Sequence, residues 1–348
     1  RAYSFSFDTS FQSAFMLAFF TTVGLGASMQ LLKKGGVLLV IYWLISGVVS
    51  IFQNVLGIGV SKIIGLEAPY ALLASAISMI GGHGAAASYG STFAEMGYSA
   101  AVEVGAAAAT FGLIFAVLVG GPLARRLIEK YHLKPDNSEN LDTSVESINA
   151  SNGEKLSSLD IMKNVTALLV CMALGSLISG YIGKLIGMSF PEYVGAMFVA
   201  MIVRNLNEKL HWYNFNFAMV DKTGDVMLTV CQSMALMTLK LWELFDLLPG
   251  VLLIVVLQLV FLSLVAYFIV FRLLGKNYDA AVMCAGLMGH GLGATPSAIV
   301  NMTSVKDRYG MSRKAFMIVP IVGAFLVDII YQPQTIFFIK MFVDGFNK

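Results

Sequence analysis

Long apolar runs alternate with short polar breaks along the chain, at about residues 12–33, 36–62, 100–128, 161–187, 190–205, 225–246, 249–274 and 313–342. A helix needs roughly 20 apolar residues to cross the hydrocarbon core of a bilayer. Each run therefore predicts a transmembrane helix; 190–205 is short enough to be little tilted or partly enclosed by protein. Two further apolar stretches, 70–95 and 278–302, are interrupted by glycine clusters and contain Pro69 and Pro296. They predict broken helices or re-entrant hairpins, which persist at membrane depth only where protein or a water-filled cavity surrounds them. Residues 129–160 form the one long polar stretch, rich in Asn, Ser and acidic residues. It cannot bury a core and predicts a flexible linker.

The pattern on the two sides of the linker repeats. Gly82-His83-Gly84 recurs as Gly289-His290-Gly291, 207 residues on, and Gly36-Val37-Leu38-Leu39 as Gly250-Val251-Leu252-Leu253. Letter-by-letter similarity is weak, and the order of features carries the inference: span, span, glycine-rich segment, span. The second half has two extra spans at its front, 161–187 and 190–205. Their counterparts are expected in a further N-terminal segment of about 60 residues, enough for two spans. Five spans per repeat would invert the second relative to the first, an architecture recurrent in secondary transporters. The expected domains are 1–128 (first repeat, partial), 129–160 (cytoplasmic linker) and 161–348 (second, inverted repeat).

Composition agrees with the spans. The chain is 57% hydrophobic and 13% charged, with mean hydropathy +0.76. Soluble domains carry about 25% charged residues, so lipid must be part of this protein's solvent. With the linker placed in the cytoplasm, 17 of the 23 Lys and Arg residues fall inside, the bias that orients membrane proteins. Cys171, Cys231 and Cys284 lie in apolar runs, with no metal-ligand spacing. There is no nucleotide-binding loop to suggest a pump.

Several blocks carry a family resemblance: GGHGAAAS at 81–88, ATFGLIFAVLVGGPLARRL at 109–127, LMTLKLWEL at 236–244, GKNYDAAV at 275–282, GHGLGATPSAIVNM at 289–302 and VPIVGAFLVDI at 319–329. Together they resemble bacterial sodium/glutamate symporters over almost the whole chain. The resemblance implies a bacterial inner-membrane protein that couples sodium entry to uptake of L-glutamate. It also implies a homodimer of ten-span protomers with two re-entrant loops. Two places depart from the family's pattern. Ala86 stands where a glycine is expected, as at Gly293, and after Asp328 the chain runs IIYQPQTIFFIK, with Pro333 among polar neighbours.

A dicarboxylate solute needs positive potential, yet the spans hold almost no basic side chains away from their ends. Backbone N–H groups at broken-helix N-termini can supply it, and glycine lets a ligand approach them. The substrate-binding candidates are therefore Gly82, His83, Gly84 and Ser88 in the first segment, and Gly289, His290, Gly291, Gly293, Thr295 and Ser297 in the second. The bland alternative is that the glycines only permit close helix packing. His83 and His290 fall at matching positions and either touch the solute or hydrogen-bond a carbonyl freed by the break. Sodium needs oxygen ligands, and the candidates are Thr295, Asn301, Asp328 and Gln232. Asp328 lies well inside the last span, where a carboxylate is costly and usually functional. It can ligate sodium, pair the substrate ammonium, or face a watery vestibule. Glu103, Asp279 and Glu243 lie nearer span ends, where solvation is the expected role.

Rival classes are an intramembrane hydrolase, a passive channel, and a transporter of another small carboxylate. Ser88 follows His83 by five residues, but no nucleophile elbow surrounds it. A channel would need no inverted repeat. The reading is not of an enzyme.

Overall fold

The apolar runs fold as helices in a computed structural model that describes residues 11–26, 29–135, 158–186, 192–237, 245–293 and 295–343. In chain order they are α1 (Gln12–Gly26), α2 (Met29–Ile64, bent at Gly36), α3 (Ala68–Ile77), α4 (Gly82–Glu95), α5 (Ala101–Tyr131) and α6 (Ser158–Ile186). Then follow α7 (Glu192–Leu210), α8 (Phe217–Met237), α9 (Leu248–Leu273), α10 (Tyr278–His290), α11 (Thr295–Tyr309) and α12 (Arg313–Phe342). No strand occurs among the described residues. Among the described residues, five stretches are long and apolar enough to cross a membrane: Gly36–Ile64 of α2, α5, Ile161–Tyr181 of α6, α9 and α12. This is a multi-pass membrane protein. The first described run gives a shorter helix, α1, and α8 begins eight residues before the run expected from 225. Helix covers both ends of the 129–160 stretch, to Tyr131 and from Ser158; residues 136–157 lie outside the described part.

The chain forms two compact units, each drawing on both sides of that stretch. One contains α1, α6, α7 and α8. Small residues set its helix spacing: a Cβ on Gly175 of α6 would overlap the Ala196 backbone of α7, and one on Gly24 of α1 would overlap the Met197 carbonyl. Without a hydrophobic drive between helices in lipid, such close backbone approach supplies the packing. Ala18, Leu25, Leu168, Cys171, Ala200 and Val220 form the apolar centre. The Arg204 guanidinium lies 3.7 Å above the Phe217 ring and pairs with Glu208 at 2.9 Å.

The other unit contains α2–α5 and α9–α12. Here the glycine-rich segments fold as the pairs α3–α4 and α10–α11. Proline makes neither break, and glycine makes the first. Gly82 adopts φ +62° where α4 starts, in the left-handed region glycine enters without cost. Pro69 and Pro296 instead sit in the first turns of α3 and α11, where the missing N–H is not needed. Pro320 is followed by one π-helical turn, Val322–Leu326, and Pro333 lies within a helix that continues to Phe342. Glu103 is buried in the first turn of α5 rather than solvated, where a carboxylate is favoured by the helix dipole.

Candidate functional site

The two breaks meet on α5. A Cβ added to Gly112 would lie 2.3 Å from the Leu292 carbonyl oxygen and 2.9 Å from Met79 Cε. Leu292 belongs to the turn after α10, and Met79 to the end of the α3 arm. The missing side chain at this one position of α5 therefore admits both hairpin tips. Helix α12 also reaches both. Its Gly323 packs against Thr295 Oγ1 and the His290 ring, and its Tyr331 hydroxyl crowds Gly81 and reaches the Ile77 carbonyl at 3.4 Å. Asp328 lies on the stretch between these contacts, one turn before Tyr331 and on the same side of the helix.

Backbone groups freed by the breaks are satisfied by two adjacent amides of α2. Gln53 Nε2 donates to the Gly291 carbonyl at 2.8 Å. Asn54 Oδ1 accepts from the Ala76 N–H at 3.2 Å, beside Ser75, whose φ −113°, ψ −138° interrupts the α3 arm. Successive helix residues point about 100° apart, so one pair of side chains serves both hairpins. Asn54 Nδ2 also donates to Gln334 Oε1 at 3.1 Å. Gln258 of α9 donates to the Gln53 carbonyl at 2.8 Å and to Ser75 Oγ at 3.3 Å. Tyr89 donates to Gln332 Oε1 at 2.8 Å. Gln53, Asn54, Gln258, Gln332 and Thr335 are fully buried. Their sequence signal is neutral amides, and one hydroxyl, within apolar runs, which the candidates above did not include.

The expected site residues divide as follows. Gly82 and Gly84 are buried in the first turn of α4, which no side chain caps. His83 is half-buried, its Nε2 3.2 Å from Thr110 Oγ1 of α5. Ser88 is buried with its hydroxyl unpartnered. His290 is buried with Nε2 2.9 Å from the Tyr42 hydroxyl and Nδ1 unpartnered. Gly289 permits α10 to meet the Ala298 backbone of α11, where a Cβ would lie 2.2 Å from Cα, so it is a packing glycine. Gly291 contributes its carbonyl to Gln53. Ser297 Oγ donates to the Gly293 carbonyl at 3.1 Å, and Gly293 packs on Leu113. Among the described residues no donor or cation reaches the half-buried Asp328 carboxylate. Gln232 lies on α8 in the other unit, and its side chain is outside the described part.

Asn301 has a structural duty. Its Nδ2 donates to the Ala116 carbonyl of α5 at 3.0 Å and to the Ala285 carbonyl of α10 at 3.2 Å, over Gly120. Asn301→Ala should lower the melting temperature in detergent, since losing the partner of a buried polar group costs about 1–3 kcal/mol. An unchanged melting curve would remove this tie from the account.

The arrangement offers backbone donors at an uncapped helix start, unspent hydroxyl and amide oxygens, and one free carboxylate, all near two helix breaks. Such equipment in a multi-pass helical protein suits a membrane transporter. The chain belongs to the sodium/glutamate symporter family, whose profile matches residues 1–311. It is 38% identical over 330 residues to the sodium/glutamate symporter of Haemophilus influenzae Rd, covering 94% of this chain and 81% of that protein. It is likewise 38% identical over 331 residues to the sodium/glutamate symporter of Escherichia coli K12, covering 93% and 81%.

Proposed function

We propose that this protein takes up glutamate with sodium by alternating access, from a site formed where the two hairpin tips meet on α5. The observation that carries this reading is the convergence of Leu292 and Met79 on Gly112, within a buried polar network of a symporter-family chain. In this reading Gly82–Gly84 present the first N–H groups of α4 to a solute carboxylate. Anions are stabilised there by the unsatisfied donors and the helix dipole. Ser88 and His83 add hydrogen bonds from the same arm. His290, Thr295 and the Gly291–Gly293 turn line the second arm. Sodium is held by oxygens of Thr295, Asp328 and Asn301, whose Oδ1 remains available. Gln232 of α8 is the fourth sodium candidate.

The order long helix, broken pair, long helix occurs twice in that unit, as α2–α5 and α9–α12. This supports the inverted-repeat reading, with α3–α4 entering from outside and α10–α11 from inside. A homodimer in the bacterial inner membrane completes it. With the linker cytoplasmic, a cysteine at Ser151 should resist an impermeant thiol reagent in intact cells, and efficient labelling there would reverse the orientation.

The deciding experiment is uptake of labelled glutamate into proteoliposomes holding the full-length protein. Saturable uptake that follows an inward sodium gradient and is competed by unlabelled glutamate is expected. A flux that never saturates and ignores the gradient would favour a channel. Stronger competition by a different small carboxylate would change the substrate but not the class.

A further inference from the structure

Helices α5 and α11 run side by side in the same direction, and their seam ends in a cleft of about 540 Å³. Contacts climb both helices together: Leu113 with Gly293, Ala116 and Gly120 with Asn301, and Gly121 with Ser304. Beyond the Asn301 tie the seam opens. The cleft there holds Arg125, Arg126, Lys130 and Arg308 against a single carboxylate, Glu129. That carboxylate is already engaged by Arg125 at 2.8 Å and by the Tyr309 hydroxyl at 2.8 Å. Lys130 donates to the Tyr267 hydroxyl at 3.1 Å. Arg126 and Arg308 are in no ion pair among the described residues, so the cleft keeps a surplus of positive charge.

The residues above the cleft are apolar and exposed in register with it. On α5, Ile114, Leu118, Pro122 and Arg126 follow at intervals of four, one helix face. On α11, Val300, Ser304 and Arg308 do the same. Leu118 is 63% exposed and Val300 52%. A stripe that changes from apolar to cationic along one seam matches an amphiphile with an anionic head. Positive charge alone is what the cytoplasmic end of any span carries; the enclosed cleft and the aligned apolar stripe are additional.

We propose that the α5–α11 seam binds an anionic phospholipid of the cytoplasmic leaflet. The phosphate lies between Arg126 and Arg308, and an acyl chain lies along Leu118 and Val300. Basic clefts between spans on the cytoplasmic side suit phosphate headgroups, and arginine matches phosphate geometry with paired donors. The seam also carries Asn301 and Gly293, so the lipid would brace the arm that forms the second hairpin tip. The proposal does not depend on the transported solute.

The test is native mass spectrometry of the full-length protein in detergent, titrated with dioleoyl phosphatidylglycerol, dioleoyl phosphatidylcholine and glycerol phosphate. Wild type should retain phosphatidylglycerol in preference to phosphatidylcholine. Each basic residue is expected to account for roughly fivefold in affinity, so Arg126→Gln/Arg308→Gln should bind about thirtyfold more weakly. Arg126→Lys/Arg308→Lys, with matching melting curves, should retain most of the binding and so separates charge from misfolding. Equal retention of phosphatidylglycerol by wild type and the glutamine pair would overturn the site. If glycerol phosphate bound as tightly as the lipid, the cleft would be one for free anions and the acyl groove would fall.

Discussion

Gly112→Ala is expected to cut sodium-driven glutamate uptake at least tenfold, although it adds a single methyl group to a helix that would otherwise welcome it. The new Cβ would sit 2.3 Å from the Leu292 carbonyl oxygen, an approach real side chains do not make. Leu292 is backbone at a hairpin tip, so it cannot swing away like the end of a flexible side chain. Overpacking of this kind costs about 1–3 kcal/mol, and here the cost falls on the juxtaposition of the two tips. Opposing it is the gain in helix propensity, about 1 kcal/mol for replacing glycine by alanine. The near balance predicts a protein that still folds and inserts but whose tips are parted. Gly121→Ala is the control on the same helix. Its Cβ would make an ordinary contact, 3.6 Å from Ser304 Oγ, so uptake should be unchanged. Wild-type uptake by Gly112→Ala would mean that the tips do not need to meet on α5.

The positions of the helices were legible because lipid imposes one rule on every span: a run of apolar residues long enough to cross. The two broken segments were legible for the same reason, since Gly81-Gly82 and Gly289 to Gly293 interrupt runs that are otherwise apolar. Pro69 and Pro296 look like helix breakers in the sequence, but proline in a first turn breaks nothing, and only the backbone distinguishes a start from a stop. The grouping into two units was hidden as well, because adjacency in the fold joins α2–α5 to α9–α12 across a long separation in sequence. In the site, ionisable residues and glycines drew attention because their cost in a membrane is large. Gln53 and Asn54 are neutral, and such side chains commonly hydrogen-bond between helices in membranes, so nothing set them apart. Their duty depends on the Gly291 carbonyl and the Ala76 N–H, which become free only once the hairpins break. The polar run after Asp328 proves to face inward: Gln332 and Thr335 are buried and Gln334 meets Asn54.

Asp328→Asn should raise the sodium concentration needed for half-maximal uptake before it alters the preference for glutamate. Asp328 lies on α12 between the contacts this helix makes with the two hairpin tips, and among the described residues its carboxylate has no donor or cation. An ionised carboxylate left alone at such depth is expensive, and the expense is removed when a cation binds. The amide keeps the size and one oxygen, so packing on either side, at Gly323 and Tyr331, should survive. Loss of the charge should weaken a bound cation by more than the ~1 kcal/mol that two unit charges share at contact distance in water. Uptake measured against sodium at fixed glutamate, and then against glutamate at saturating sodium, separates the roles. A glutamate curve that moves while the sodium curve stays would transfer Asp328 to the substrate ammonium. If neither curve moves, the carboxylate takes part in neither binding event, and sodium must rely on neutral oxygens such as those of Thr295 and Asn301. That arrangement would hold the ion by the number of its ligands rather than by their charge.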